Sequence, residues 1–256
     1  VKIITSIEQW KAVRKNGDIG FVPTMGALHR GHISLVERAR HENSTCVVSI
    51  FVNPTQFNDK ADFNTYPQTW EEDIAKLEKA DIDYVFSPKY EELYRDNYRY
   101  KVAENEMSSV LCGESRPGHF DGVLTVVMKL LNIVCPTRAY FGKKDYQQYM
   151  LICDMVEAFF MNIEIVGCEI IREEDGLAMS SRNLLLSNEQ RVIAPQLHQI
   201  ICKATSTEEA KHMLTKSGFR VDYVVELWQR RFAAAFLGNV RLIDNIPLGE
   251  QHDSSS

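Results

Sequence analysis

No CxxC pair occurs among the six cysteines of this 256-residue chain, Cys46, Cys112, Cys135, Cys153, Cys168 and Cys202, and no histidine spacing completes a zinc pattern. The thiols are therefore expected to be buried and reduced, as in a cytoplasmic protein. No apolar run approaches the ~18 residues of a membrane span. Lys2 and Glu8 also interrupt the opening stretch where a signal peptide would need an apolar segment. A basic surplus is missing too. Against 35 Asp and Glu there are 29 Lys and Arg, a net charge of −6 that argues against a broad nucleic-acid face but allows a local basic pocket for a small anion. With 13 Gly and 8 Pro the chain is neither collagen-like nor dominated by linkers. What remains, 45% hydrophobic and 25% charged, is an ordinary globular mix, long enough for two units at roughly 100–200 residues each.

Short apolar runs rich in β-branched residues alternate with amphipathic stretches through the first two thirds, which predicts repeated strand–helix units and a parallel sheet. Strands are expected at 19–22, 46–52, 84–86, 138–141 and 163–168. The second of these (CVVSIFV) is nearly all apolar, as a strand covered on both faces must be. Helices are expected at 31–40, 70–80, 123–134 and 145–160, the second opening after Thr69 as N-cap with Glu71, Glu72 and Asp73 in its first turn. Beyond Arg172 the order changes. Helices at 188–203 and 208–216 precede strands at 221–227 and 240–246, the mark of a smaller α+β unit. The expected division is a Rossmann-like α/β domain over 1–170 and a C-terminal α+β domain over 171–256, with Ser254, Ser255 and Ser256 a frayed end.

Three segments carry chemistry. The first, PTMGALHRGH from Pro23, lies between the first of these strands and the helix after it, where open α/β sheets bind ligands. His29 and His32 are three apart, so both rings face one way if they share the first helical turn. Unpaired N–H groups there suit a phosphate, and Gly26 and Gly31 permit close approach of a ring or phosphate. The second, Gly142-Lys143-Lys144-Asp145, repeats the strand-to-helix setting, with a lysine for phosphate and a carboxylate for ribose hydroxyls. The third, Met179-Ser180-Ser181-Arg182-Asn183, puts two hydroxyls and a planar guanidinium on a loop, a grasp suited to a triphosphate. Each alone is equally an ordinary helix start or surface loop; together they point to phosphate chemistry. No Walker A pattern is present, so the grip is of the histidine type.

With VPTMGALHRGH from Val22, VSIFVNPTQF from Val48, YPQTWEED from Tyr66, RPGHFDGVLTVVMKLLNIV from Arg116, FGKKDYQQ from Phe141, DGLAMSSRN from Asp175 and LGNVRLIDN from Leu237, most of the chain resembles the pantothenate synthetase family. That family belongs to the HxGH nucleotidyltransferases, the class that includes class I aminoacyl-tRNA synthetases. The resemblance implies an ATP- and magnesium-dependent ligase joining pantoate to β-alanine through pantoyl adenylate, acting as a cytoplasmic homodimer with no nucleic-acid or membrane partner. It makes His32, His29, Lys144 and Arg182 the catalytic set. The nucleotide would lie along Met25, Gly26, Ala27, Leu28, His29, Arg30, Gly31 and His32, along Gly142, Lys143, Lys144 and Asp145, and against Ile171, Met179, Ser180, Ser181 and Arg182. Gln56 and Gln148 would bind pantoate, Arg116 would be a substrate-binding arginine on a mobile loop, and Asp73 would contact magnesium.

Three departures stand out. Lys143 replaces the family's usual Glu, a change of two charge units at the nucleotide mouth; Arg30 adds charge between the histidines; and the stretch 205–236 is shorter than expected. A nucleotidyltransferase with another acceptor, and a nucleotide-binding protein without turnover, are the competing readings.

Overall fold

The strand Lys2–Ile4 (β1) and the helix Ile7–Val13 (α1), capped by Ser6 accepting from the Gln9 amide, open the chain. Both escape the sequence reading, the strand because three residues are too short to show a period. The computed structural model describes residues 1–14, 17–58 and 60–249; the serine tail at 254–256 lies outside the described residues. The chain divides into two units, Val1–Ile171 and Arg172–Ser256.

In the first unit the chain continues through Ile19–Thr24 (β2), Arg30–Glu42 (α2), Thr45–Ile50 (β3), Lys60–Asn64 (α3), Trp70–Lys79 (α4), Tyr84–Phe86 (β4), Tyr90–Leu93 (α5), Cys112–Ser115 (α6), His119–Val134 (α7), Arg138–Gly142 (β5), Tyr146–Ala158 (α8) and Glu164–Cys168 (β6). Its strands form one parallel sheet in the order β1-β4-β3-β2-β5-β6. Successive residues of the inner strands enter different cores. Phe21, Val47, Ala139 and Phe141 join Trp10, α7 and α8, while Val22, Val48 and Tyr140 join Val36 and Ala39 of α2 and Leu77 of α4. Two covered faces explain why these strands read as continuous apolar runs. The chain winds outward from β2 to β3 to β4 and then returns to lay β5 on the other side of β2. The crevice at the carboxyl ends of β2 and β5 is therefore the topological switch point, where such sheets bind ligands.

The second unit carries helices Asn188–Ile193 (α9), Gln196–Lys203 (α10) and Thr207–Lys216 (α11) on an antiparallel sheet of Arg220–Leu227 (β7), Arg230–Leu237 (β8) and Val240–Pro247 (β9). The single helix expected at 188–203 is two helices, broken where Pro195 lacks the N–H that would continue the ladder. β8 is missed in the sequence because a central strand with five successive buried residues shows no period-two alternation, and its alanines have little β preference. Buried Arg231 donates to the carbonyls of Ile201 and Ala204 at the end of α10 and pairs with Glu226. All six cysteines are free. Cys46 and Cys168 are buried as expected, but Cys135 and Cys202 are exposed, being on a helix end and an outer helix face respectively. No helix among the described residues is long and apolar enough to cross a membrane.

Candidate active site

The loop leaving β2 is held by main-chain contacts before any histidine is reached. Thr24 Oγ1 donates to the Ser49 carbonyl at 2.7 Å and accepts from the Gly26 amide at 3.2 Å. Gly26 and Ala27 then turn through the left-handed region, φ 79° and 50°, a conformation costly for alanine. Asp73 compensates: its carboxylate accepts the Ala27 amide at 2.8 Å, the Leu28 amide at 2.7 Å and the Thr69 hydroxyl at 3.1 Å, and its side chain is buried. Thr69 thus sits at the N-cap position of α4 without capping it; its hydroxyl serves Asp73 instead. One turn on, Lys76 donates to the Leu28 carbonyl at 2.7 Å.

His29 is the N-cap of α2 and His32 its third helical residue. The Gly31 amide donates to His29 Nδ1 at 3.1 Å, and the His29 amide donates to His32 Nδ1 at 3.4 Å. Each Nδ1 is an acceptor, so each neutral ring carries its proton on Nε2 and keeps that N–H as a donor. The rings lie side by side, centroids 4.0 Å apart. Burial, the neighbouring His32 and the Lys144 charge push His29 down to about 3, and burial with Lys144 and Lys76 pushes His32 down to about 4. Both imidazoles are therefore neutral near pH 7. Arg30, between them, is exposed on the first helical turn, and Met25 and Gly31 are half-buried along the loop.

From β5, Lys143–Asp145 make a 3-10 turn into α8, which brings Lys144 and Asp145 into the electrostatic reach of His29. Lys144 is largely sheltered and lies 3.4 Å from Asp145 Oδ2. Lys143, the charge departure, pairs with Glu169 at 2.5 Å, so the lysine brings its own counter-charge to this edge. The two switch-point segments thus meet. Lys76, which the sequence reading did not single out, joins them; only the packing of α4 against the loop reveals it.

The expected substrate residues all belong to the first unit. Gln56 ends a 3-10 turn, Pro54–Gln56, after β3, and its Oε1 accepts from Asn53 Nδ2 at 3.0 Å. Asn53 is buried, and its own Oδ1 accepts from the Tyr94 hydroxyl at 2.9 Å. The Gln56 amide also carries two N–H donors on Nε2. Gln148 is half-buried in the first turn of α8; its neighbour Gln147 is buried and donates to the Met107 and Val110 carbonyls. Arg116 is bound to the protein itself, donating to the Gln56 carbonyl at 3.3 Å and approaching His119 Nε2 at 3.1 Å, while His119 Nδ1 lies 2.7 Å from that carbonyl. Asn53 and His119 fall inside the FVNPTQF and RPGHF motifs, a signal that could have found them.

Residues 1–247 match the family model described as pantoate-beta-alanine ligase. The chain belongs to the pantoate–β-alanine ligase family. A pantothenate synthetase of Bdellovibrio bacteriovorus is 55% identical over 249 residues, covering 96% of this chain and 99% of that protein. One from Coxiella burnetii is 50% identical over 252 residues, covering 97% and 98%. Among solved structures, the pantoate-beta-alanine ligase of Francisella tularensis, complexed with beta-gamma ATP and beta-alanine, superposes with a TM-score of 0.92 at 42% identity, covering 96% of this chain and 97% of that one. The pantothenate synthetase of Thermus thermophilus gives 0.90 at 39%, covering 96% and 99%.

In this ligase the remaining expected residues fall at the end of the first unit and in the second. Ile171 is half-buried at the end of the first unit. Met179, Ser180, Ser181 and Arg182 belong to the second unit, where Ser180 caps a 3-10 turn by accepting the Arg182 amide at 3.3 Å, and Met179 and Ser181 are buried. Asp73, the expected magnesium contact, is buried with both oxygens accepting from the histidine loop, which gives it a structural task. No cluster of three or more His, Cys, Asp or Glu side chains fit for a metal occurs among the described residues.

Proposed function

We propose that this ligase makes pantothenate in two steps on ATP. A pantoate carboxylate oxygen attacks the α-phosphorus, the bond to the pyrophosphate oxygen breaks, and pantoyl adenylate forms as pyrophosphate leaves. The β-alanine amine then attacks the acyl carbon, the bond to AMP breaks, and the amine proton is lost. A free carboxylate is a poor electrophile; adenylation supplies its leaving group.

The observation that carries this reading is the pair of Nε2–H donors of His29 and His32 with the Lys144 ammonium beside them at the switch point. Neutral imidazoles there donate to phosphate oxygens as charge builds, and Lys144 adds a point charge. The loop Met25, Gly26, Ala27, Leu28, Arg30 and Gly31 is assigned to the nucleotide by the family resemblance, and Asp145 suits the ribose hydroxyls. Gln56 and Gln148, whose amides both donate and accept, suit the pantoate oxygens. Ser180, Ser181 and Arg182 are assigned to the triphosphate by the family resemblance, as is a homodimer, which sedimentation tests. Six free cysteines suit the reducing cytoplasm.

The test is AMP release followed with pantoate, ATP and β-alanine together and with each omitted. Release that requires both organic substrates supports the ligase; release without one of them refutes it.

A further inference from the structure

We propose that Asp73 and Lys76, one turn apart on α4, form a clamp that positions the His29 and His32 donors for the ligase reaction. The inference deepens the functional reading above and rests on it for the reaction, though not for the clamp.

The loop from Gly26 to Leu28 has no regular ladder to hold it, and two of its residues take the left-handed conformation. It needs outside partners for its peptide groups. Both sides of the Leu28 residue are taken by α4: its N–H, with that of Ala27, goes to Asp73, and its C=O goes to Lys76. The next residue is His29, whose amide fixes the His32 ring and whose ring is fixed by Gly31. A displacement at Leu28 therefore passes to both imidazoles. Asp73 is itself locked by Thr69, and Gly26 lies so close that an added Cβ would stand 3.1 Å from its Oδ2. Lys76 has a second task that follows from place: its charge lies near enough to help hold both rings neutral. Neither residue needs to touch substrate, so both are positioning residues.

The full chain is tested as Asp73→Asn, Lys76→Met and Lys76→Arg. Asparagine keeps the shape but turns one acceptor into an NH2 facing an N–H donor. Because Lys76 is 40% exposed, its variants leave the core intact. The expected result is a fall in kcat of about a hundredfold for Asp73→Asn and about tenfold for Lys76→Met, as misplaced catalytic donors cost. KM for β-alanine stays within about threefold, and Lys76→Arg restores most of the loss because it still donates to the Leu28 carbonyl. A role in stability alone would lower the melting temperature and leave kcat per folded enzyme unchanged. Independently of activity, the Ala27 and Leu28 amides in Asp73→Asn should exchange with solvent at least about tenfold faster, with β2 and β3 unaffected. Wild-type kcat in the folded variants, or unchanged exchange at those two amides, overturns the proposal. Failure of the wild-type enzyme to make pantothenate would overturn the functional reading instead and leave the exchange result to decide the clamp.

Discussion

Replacing both histidines of the loop, His29→Gln with His32→Gln, should make the protein less sensitive to mild acid. In the folded chain the two imidazoles stay neutral down to about 3 and about 4, whereas an unfolded histidine titrates at 6.5. As pH falls through 6.5 the unfolded chain gains protons that the folded chain refuses, so stability is complete above that value and lost below it. Between pH 8 and pH 5 the two shifts correspond to about 2 kcal/mol for each ring. Solvent reaching the half-buried rings trims the total, leaving a loss of roughly 2–4 kcal/mol in the wild type that the double variant lacks. The loss arises mainly from burial and from the cations Lys144 and Lys76, not from any bond the rings make. Urea unfolding at several pH values measures it, the difference between the two proteins cancelling contributions from the carboxylates. A difference that stays constant from pH 8 to pH 5 would refute the claim that the folded rings are neutral.

His32→Ala should fold normally and lose about a hundredfold to a thousandfold in kcat, the cost of one donor acting in the transition state, as measured by pyrophosphate release in single turnover. Lys144→Met should raise the KM for ATP, and imidazole NMR titrations of His29 and His32 should move upward once the adjacent charge is gone; unmoved titrations would place the lysine elsewhere. Gly122→Ala on α7 would bring a methyl within 2.4 Å of the Thr55 carbonyl, pushing away the turn that carries Gln56. It should raise the KM for pantoate and cost about 1–3 kcal/mol in urea unfolding.

The switch-point cluster was legible because its signals are local. The strand-to-helix junctions at 24–30 and 142–146 show in the apolar runs and their polar stops, and the histidine spacing matches the capped turn of α2. What escaped is tertiary. Asp73 reads as a helix-start acid, and nothing in WEED tells that a loop some 45 residues earlier will bring two amides to it. Lys76 is one of several lysines on an amphipathic helix until packing sets it against Leu28. That the Arg116 guanidinium also donates to the Gln56 carbonyl shows only in the packing. In the second unit the alanine-rich β8 lacks a period because both its faces are covered, while Pro195 marks a helix break that the apolar spacing alone bridges.

Exchange of labelled pyrophosphate into ATP, measured with pantoate present and β-alanine absent, tests the adenylating role of the paired imidazoles and Lys144 most directly. Rapid exchange in the wild type, strictly dependent on pantoate and lost in His32→Ala, is the predicted result. Exchange that needs β-alanine, or persists undiminished without the His32 ring, would contradict it.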